Sequence, residues 1–532
     1  MLWKVPAPPI HVDLRSRGDR LRNIVLELCL KSVWKASVFL GILSRHAAWP
    51  LFIFLAAVLS LSCPAYADDY QSLPALIDLR TTFSDGDYDP KALAQLAKSK
   101  GFQVVIFTDH DRMAMSYGLP PFRNLLKVKI QKNAINKRGA AEYLQALKEV
   151  EKEFPGMIIL PGSETTPYYY WTSRLFKGEL TAHDHEKRLL AIGMEKPEDY
   201  ENLPILDNGS SKELLLQSLP GIMLFFTSLV ISIFMLRKKG VYRFTGIFIA
   251  VVSVAFLLDT LMAEKKSPFD AYHGNQGIAP YQLYIDYVHA RGGLVFWNYP
   301  ETQSGVRKMG PINVSTRPYP EALYESFGYT GFSAVYGDTS TITEPGNVWD
   351  VTLKGYCKGL RKNPPWGIAT SDFHREGQDG QYLGDYLTVL LVREKTKQEV
   401  LKALRTGKMY CSSIAYPKAV RLSEFSVSSK DGGKKAVSGD EMIIKGNPVI
   451  RMSITTNNEV KSVVKVRLIR SGELIKTFEG PLPLQIEYED AYEKPGEKIY
   501  YRVDMKGYGI IVSNPIFVSF EKPVEQNAAR VQ

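Results

Sequence analysis

The sequence predicts an α/β chain, a parallel sheet or barrel interrupted by two apolar helices and followed by an antiparallel β-sandwich. Three observations carry this. Short apolar runs of strand length alternate with helical stretches. Two long apolar runs, 214–236 and 244–262, lie in the middle of the chain. From roughly Val420 to Phe520 the pattern turns β-rich, with turn signals such as Asp431-Gly432-Gly433 and Ser471-Gly472. Five segments follow. Residues 1–67 are an N-terminal extension and export signal, 68–213 the first part of the α/β domain, and 214–262 the apolar hairpin. Residues 263–417 are the second part of the α/β domain, and 418–532 the sandwich and tail.

Taken in order, residues 49–61, WPLFIFLAAVLSL, are an uncharged apolar run after Arg45 and His46. Ala65-Tyr66-Ala67 and two aspartates follow. A basic flank, an apolar core and an A-x-A site read as an export signal, or as an anchor if uncleaved. Asp89-Pro90 ahead of KALAQLAKSKG predicts a helix with Asp at the N-cap, Pro in the first turn and Gly101 closing it. VVIF (104–107), MIIL (157–160), LLAI (189–192), LVFW (294–297) and GIAT (367–370) read as buried strands. AAEYLQALKEVEKEF and PYQLYIDYVHARGG read as the helices between them.

Leu214 to Leu236 carries no charge over 23 residues. A helix of that length crosses a hydrocarbon core of about 30 Å. Phe244 to Met262 is interrupted only by Asp259, and RKKGVYR lies between the two runs. The positive-inside rule places that basic loop in the cytoplasm. Both flanking parts are then extracytoplasmic, periplasmic or cell-surface, and the protein belongs to the cell membrane.

The net charge of +10 does not point to nucleic acid, because half of it falls in residues 1–67 and no basic stripe interleaves with aromatics. Cys29, Cys63, Cys357 and Cys411 form no CxxC pair, which argues against a thiolate zinc site. An oxidising compartment would permit Cys357 and Cys411 to pair.

Polar residues gather where the predicted strands end. Arg80 and Asp85 follow IDL, and Thr108-Asp109-His110-Asp111 follow VVIF. Glu164 follows MIIL, Asn298 and Tyr299 follow LVFW, and Ser371-Asp372-Phe373-His374 follow GIAT. The C-terminal ends of strands are where α/β folds place their chemistry. Any one such aspartate is more often a turn or N-cap residue, so the weight lies in the set.

The ordered set SDG (84–86), TDHD (108–111), GSE (162–164), N-Y-P (298–300) and SDFH (371–374) resembles the polymerase and histidinol phosphatase (PHP) superfamily. The resemblance covers residues 75–415 apart from the apolar hairpin. It implies a distorted (β/α)7 barrel holding up to three metal ions, in a family where many members hydrolyse phosphoesters. The family's first motif reads D-L-H-x-H-T-x-x-S-D-G. Aligned without gaps, Asp78 and Arg80 stand at its two histidine positions; a gapped alignment puts Arg80 and Thr82 there. Arg188 and Tyr299 replace two later histidines, while Asp85, His110, Glu164, Asp372 and His374 are retained.

The resemblance therefore implies one divalent ion, Zn or Mn, at Asp85, His110 and His374, with Asp78, Glu164 and Asp372 as further candidate ligands. Arg80, Arg188 and Tyr299 become candidates for binding a phosphorylated or other anionic ligand, and the two arginines for replacing the charge of missing metals. Two readings remain: a reduced one-metal hydrolase, or a non-catalytic PHP-like protein that binds an anion or serves an envelope assembly. The sandwich carries no acid pair or metal cluster, so it reads as structural or docking.

Overall fold

The structure is a computed structural model. It describes residues 70–521, apart from 175–178, 210–215, 264–265, 339, 414–419, 431–434 and 457–461. The export-signal reading of residues 1–67 lies outside the described residues. Residues from Tyr70 onward form one compact unit.

Seven strands build the first part of one large sheet: β1 (Gln71–Leu79), β2 (Val104–Phe107), β3 (Ile158–Thr165), β4 (Arg188–Ile192), β5 (Leu294–Asn298), β6 (Gly331–Val335) and β7 (Trp366–Ala369). Each lies beside its predecessor. The chain just past β7 then meets the end of β1. Ser371 and Phe373 donate their N–H groups to Ile77 and Asp78 carbonyls at 3.2 and 3.0 Å, and Arg80 N–H returns to Phe373 O at 2.9 Å. This brings the two ends of the seven-strand run together.

The expected strands are present, but the sheet is mixed rather than parallel. β4 pairs antiparallel with both β3 and β5. The segment between β3 and β4 supplies the reason. It holds two extended strands, Tyr170–Arg174 and Glu179–His183, rather than a crossover helix, and an antiparallel return needs no helical crossover. The reversal matters for function, because it places the first residue of β4, Arg188, beside Asn298 at the last residue of β5.

Helices cover the strands. Helix α1 (Pro90–Ser99) is capped as its sequence predicts: the Asp89 side chain accepts the Ala92 N–H at 2.7 Å. Helices α2 (Ala140–Glu153) and, further on, α5 (Ala279–Ala290) send their apolar faces, including Tyr143, Leu147, Tyr284 and Ile285, into the common core. Between them stand α3 (Leu219–Leu236) and α4 (Val241–Leu261), the two apolar helices. Only 6% and 11% of their apolar windows are buried. The buried positions are small: Ser232, Gly246 and Ser253. A Cβ on Gly246 would meet Met235 Cβ at 3.0 Å and Ser232 O at 3.1 Å, so the helices approach closely there. Phe225 stacks on Phe256 at 4.8 Å. Large apolar side chains, among them Phe226, Phe234, Phe248 and Val251, face outward.

On the far side of β1 the sheet continues through β8 (Tyr386–Val392), antiparallel to β1, and β9 (Met409–Ser413). The sequence predicts a separate sandwich after residue 417. Instead, the free edge of β9 pairs antiparallel with Gly509–Ser513, so one sheet of the C-terminal part is continuous with the first. A second sheet, built on Val420–Ser429, Pro448–Thr456 and Leu484–Glu489, contributes Val427, Ile450 and Met452 to the same core as Val466 and Val503.

A buried ion pair ties this part to helix α6 (Val348–Cys357). Asp350 accepts Arg502 Nε at 2.8 Å and Nη2 at 2.6 Å, with Tyr500 OH at 2.8 Å, and both charged side chains are fully buried. Cys357 and Cys411 are free thiols, so the pairing an oxidising compartment would permit is not formed. Burial raises the pKa of both, that of Cys357 to about 12.

Candidate functional site

The first polar element is made by a β-bulge. Ile77 pairs with Ile106 and Leu79 with Phe107, leaving Asp78 as the extra residue at φ 75°. Asp372 and Tyr299 also sit in the left-handed region, at φ 48° and 49°. Three side chains at one end of the strands are thus held in backbone conformations that non-glycine residues rarely adopt, and such positions cluster at functional sites.

These side chains surround Arg80. Its guanidinium is fully buried and lies 2.7 Å from Asp78, 2.9 Å from Glu164 and 3.2 Å from Asp372. Thr108 Oγ1 accepts from Arg80 Nη1 and donates to Asp78, each at 2.9 Å. Asn298 Nδ2 bridges Asp78 at 3.0 Å and Glu164 at 2.7 Å, and Tyr299 OH donates to Asp78. A second guanidinium, Arg188, reaches Glu164 at 3.2 Å.

Burial alone would raise the Asp78 carboxyl; the Arg80 charge and the bonds from Tyr299, Asn298 and Thr108 outweigh it and leave its pKa lowered. Burial would likewise lower Arg80, but Asp78, Glu164 and Asp372 raise it well above its ordinary value. The centre is an ionic lattice in which a permanent cation compensates buried carboxylates.

Above it lies a more open layer. The loop after β1 is stitched to the loop after β7, with Asp87 N–H on His374 O at 3.1 Å. The buried Asp109 carboxylate holds that loop by accepting Thr81 N–H at 2.7 Å and Ser84 Oγ at 2.7 Å. Gly86 passes so close that a Cβ would overlap Arg80 O and Thr81 N. Asp85 is thereby brought to two histidines, its Oδ2 lying 3.4 Å from His374 Nε2 and 3.6 Å from His110 Nε2. His374 Nδ1 donates to the Asp372 carbonyl oxygen at 2.7 Å, which leaves Nε2 as the ring nitrogen that faces Asp85.

Burial would lower His374, yet Asp85 and Asp372 raise it. His110, buried and near Arg80 and Arg188, is lowered. Burial would raise Asp85, but both imidazoles hold it lowered. Among the described residues, no set of three or more His, Cys, Asp or Glu side chains is closed into a metal cage. Asp85 stands against both His110 and His374, and the other ring nitrogen of His110 lies 3.3 Å from Glu164.

Beside this layer opens a cavity of about 280 Å³, lined by Arg188, Tyr299, Arg307, Tyr336, Asp372 and Gln381 among others. Arg188 is 23% exposed and faces it, whereas Arg80 has no exposed surface. The two arginines therefore differ: Arg80 is spent on carboxylates, and Arg188 alone of the pair is reachable by a ligand. Arg307 lines the same cavity and pairs with Glu186.

All nine sequence-predicted residues lie at this one end of the strands. Sequence reasoning gave no role to Asn298, Thr108 or Asp109. Asn298 carried a signal, as the polar end of LVFW. Ser333, whose hydroxyl donates to Asn298 Oδ1, carried none, because β6 itself was not predicted.

No family model matches the chain, and no curated protein matches it. Among solved structures, the chain is similar to a two-domain protein from Bacteroides vulgatus containing a predicted PHP-like metal-dependent phosphoesterase. The identity is 11% and the TM-score 0.33, over 83% of this chain and 95% of that one. It is also similar to a candidate metal-dependent phosphoesterase from Bifidobacterium adolescentis, at 16% identity and TM-score 0.28, over 63% of this chain and 97% of that one.

Proposed function

We propose that the chain is a membrane-anchored, extracytoplasmic PHP-like protein with a distorted seven-strand barrel and a reduced site for one divalent ion, acting as a phosphoester hydrolase. The observation that carries the reading is Asp85 Oδ2 set against two imidazole nitrogens beside a cavity that Arg188 enters. Donors around a tetrahedral zinc with bonds of about 2.0–2.1 Å stand roughly 3.4 Å apart, close to the 3.4 and 3.6 Å that separate Asp85 Oδ2 from the two imidazoles. The charge agrees. Asp78, Glu164 and Asp372 face two guanidinium groups and Asp85 faces the two imidazoles, so with both imidazoles neutral the four carboxylates leave the negative charge that one divalent ion would balance.

A divalent ion held there supplies Lewis-acid activation of water and of a phosphoryl oxygen. The protein's own contribution is positional. Asp372 O fixes the His374 tautomer, and Arg188 offers a planar cation to an anionic ester at the cavity wall. Arg80 and its hydrogen-bonded neighbours keep the floor rigid.

Hydrolysis of p-nitrophenyl phosphate and its diester by the solubilised full chain, with Zn or Mn and with chelator, tests this. Metal-dependent turnover is expected, reduced by at least about 10²-fold in His374→Ala, since even outer-shell losses cost 10–100-fold. Arg188→Ala should raise KM by roughly 10–100-fold through loss of a charged hydrogen bond. Absence of turnover under all conditions would favour the second reading, a non-catalytic anion-binding protein. That reading is supported by the pairing of Arg80 with three carboxylates.

The membrane part of the proposal is supported by the exposure of α3 and α4: a soluble core helix would be mostly buried. Strands β4 and β5, which precede and follow these helices, pair directly, which supports placing both flanks on one side of a bilayer. Reporter fusions are expected to be active outside at Gly209 and Gly305 and inside at Gly240. A cytoplasmic reporter at Gly305 would sink this topology.

A further inference from the structure

Asp259 is the one charge in the second apolar run, and the site makes no use of it. It lies two residues before the end of α4, about 3 Å along the axis at 1.5 Å per residue. A β-hairpin from the other side of the chain covers it. The strands Ala114–Gly118 and Lys127–Gln131 pair antiparallel. Their connecting loop turns its backbone onto the aspartate: Oδ1 accepts the N–H groups of Asn124 at 2.6 Å and Leu125 at 2.9 Å, and Oδ2 accepts Asn124 Nδ2 at 3.2 Å. Phe122 packs edge-on against Phe256 of α4, centroids 4.9 Å apart. Tyr272 anchors the base, with Gly118 N–H on its hydroxyl at 2.7 Å and the Arg123 guanidinium 3.8 Å above its ring.

The hairpin so fastened carries a large apolar surface. Leu119, Leu126, Val128 and Ile130 are between 49% and 70% exposed. Val128 and Ile130 share one face of the outer strand, while Lys127 and Lys129 share the other, and Lys132 follows. Contiguous exposed apolar surface of this kind marks an interaction site. Its position is fixed by continuity with α4, at the end of that helix remote from the basic RKKGVYR loop.

We propose that this hairpin is an interfacial membrane element, laid into the outer leaflet with Leu119, Leu126, Val128 and Ile130 at the acyl boundary and the exposed Lys132 at the level of the lipid phosphates. The proposal rests on the membrane reading of α3 and α4. The loop amides satisfy Asp259 where it would otherwise meet lipid, and the apolar edge continues the helices' own lipid-facing surface. The seven-strand site is thereby held at a set height and tilt above the bilayer.

The test uses the full chain in vesicles of phosphatidylcholine and phosphatidylglycerol, its native cysteines replaced by alanine. Nitroxide labels are placed through Val128→Cys, Val251→Cys in mid-α4, and Glu142→Cys on α2. Accessibility to oxygen and to an aqueous nickel complex is then read. The label at 128 is expected between the other two, more oxygen-accessible than 142 and shallower than 251, with Leu126→Cys behaving alike. A label at 251 in lipid with 128 as wet as 142 would overturn this inference and leave the membrane reading intact. A wet label at 251 would overturn both. A label at 128 shielded from oxygen and nickel together would mean a protein partner or second copy on that face, which also overturns it.

Discussion

Arg80→Leu is expected to destabilise the protein by about 3–5 kcal/mol at neutral pH, the cost of removing one partner from a buried ionic cluster. Asp78 and Glu164 are fully buried and would lose the cation that lies 2.7 and 2.9 Å away. The pH dependence should invert as well. In the natural chain the Asp78 carboxyl is held below its ordinary value. Its stabilising contribution is complete above the unfolded pKa of about 3.9 and is lost as pH falls through the lower folded value. Without Arg80 only burial and the neutral donors remain, and burial raises a carboxyl. The folded variant then binds protons that the unfolded chain releases, so its deficit should shrink as pH falls from 7 toward 5. Unfolding of the solubilised protein at both pH values checks this. A variant within about 1 kcal/mol of the natural chain at pH 7, a loss typical of exposed pairs, would remove Arg80 from the centre of the account.

Asp350→Ala should cost about 3–5 kcal/mol, because it removes both short bonds to the fully buried Arg502 guanidinium and leaves it only Asp504 at 3.9 Å. The double variant Asp350→Leu, Arg502→Met should be markedly milder, since apolar groups of similar volume replace a buried pair at little cost. Partial proteolysis and thermal melting read both. If single and double variants melt alike, packing around Trp349 and Tyr500, rather than charge, holds the two parts together.

Much of this was legible in the residues. The N-cap of α1, the strand-length apolar runs and the polar groups at their ends were all present in the sequence. That Asp85, His110 and His374 lie close together was implied by the resemblance to the PHP superfamily. The fate of Arg80 was not legible. A guanidinium between two aspartates reads equally as a solvated turn, and its burial depends on the bulge that turns Asp78 inward and on the chain after β7 closing against β1. The direction of β4 was hidden for a related reason. LLAI has the same pattern whichever way it runs, and only the extended strands before it make the return antiparallel. Strand β6, GFSAV, mixes glycine and serine among its apolar residues and so does not stand out. The continuity of the C-terminal sheet with β9 is a matter of one free strand edge, which no local pattern records.

In the proposed site, guanidinium groups stand in for two cations and leave room for one. Elemental analysis of the purified full chain after exhaustive dialysis tests it most directly. The account predicts about one divalent ion per chain, as three protein ligands can hold, lost in His374→Ala and retained in Arg188→Ala. Two or three ions in the natural chain would contradict it, and so would none after added zinc or manganese.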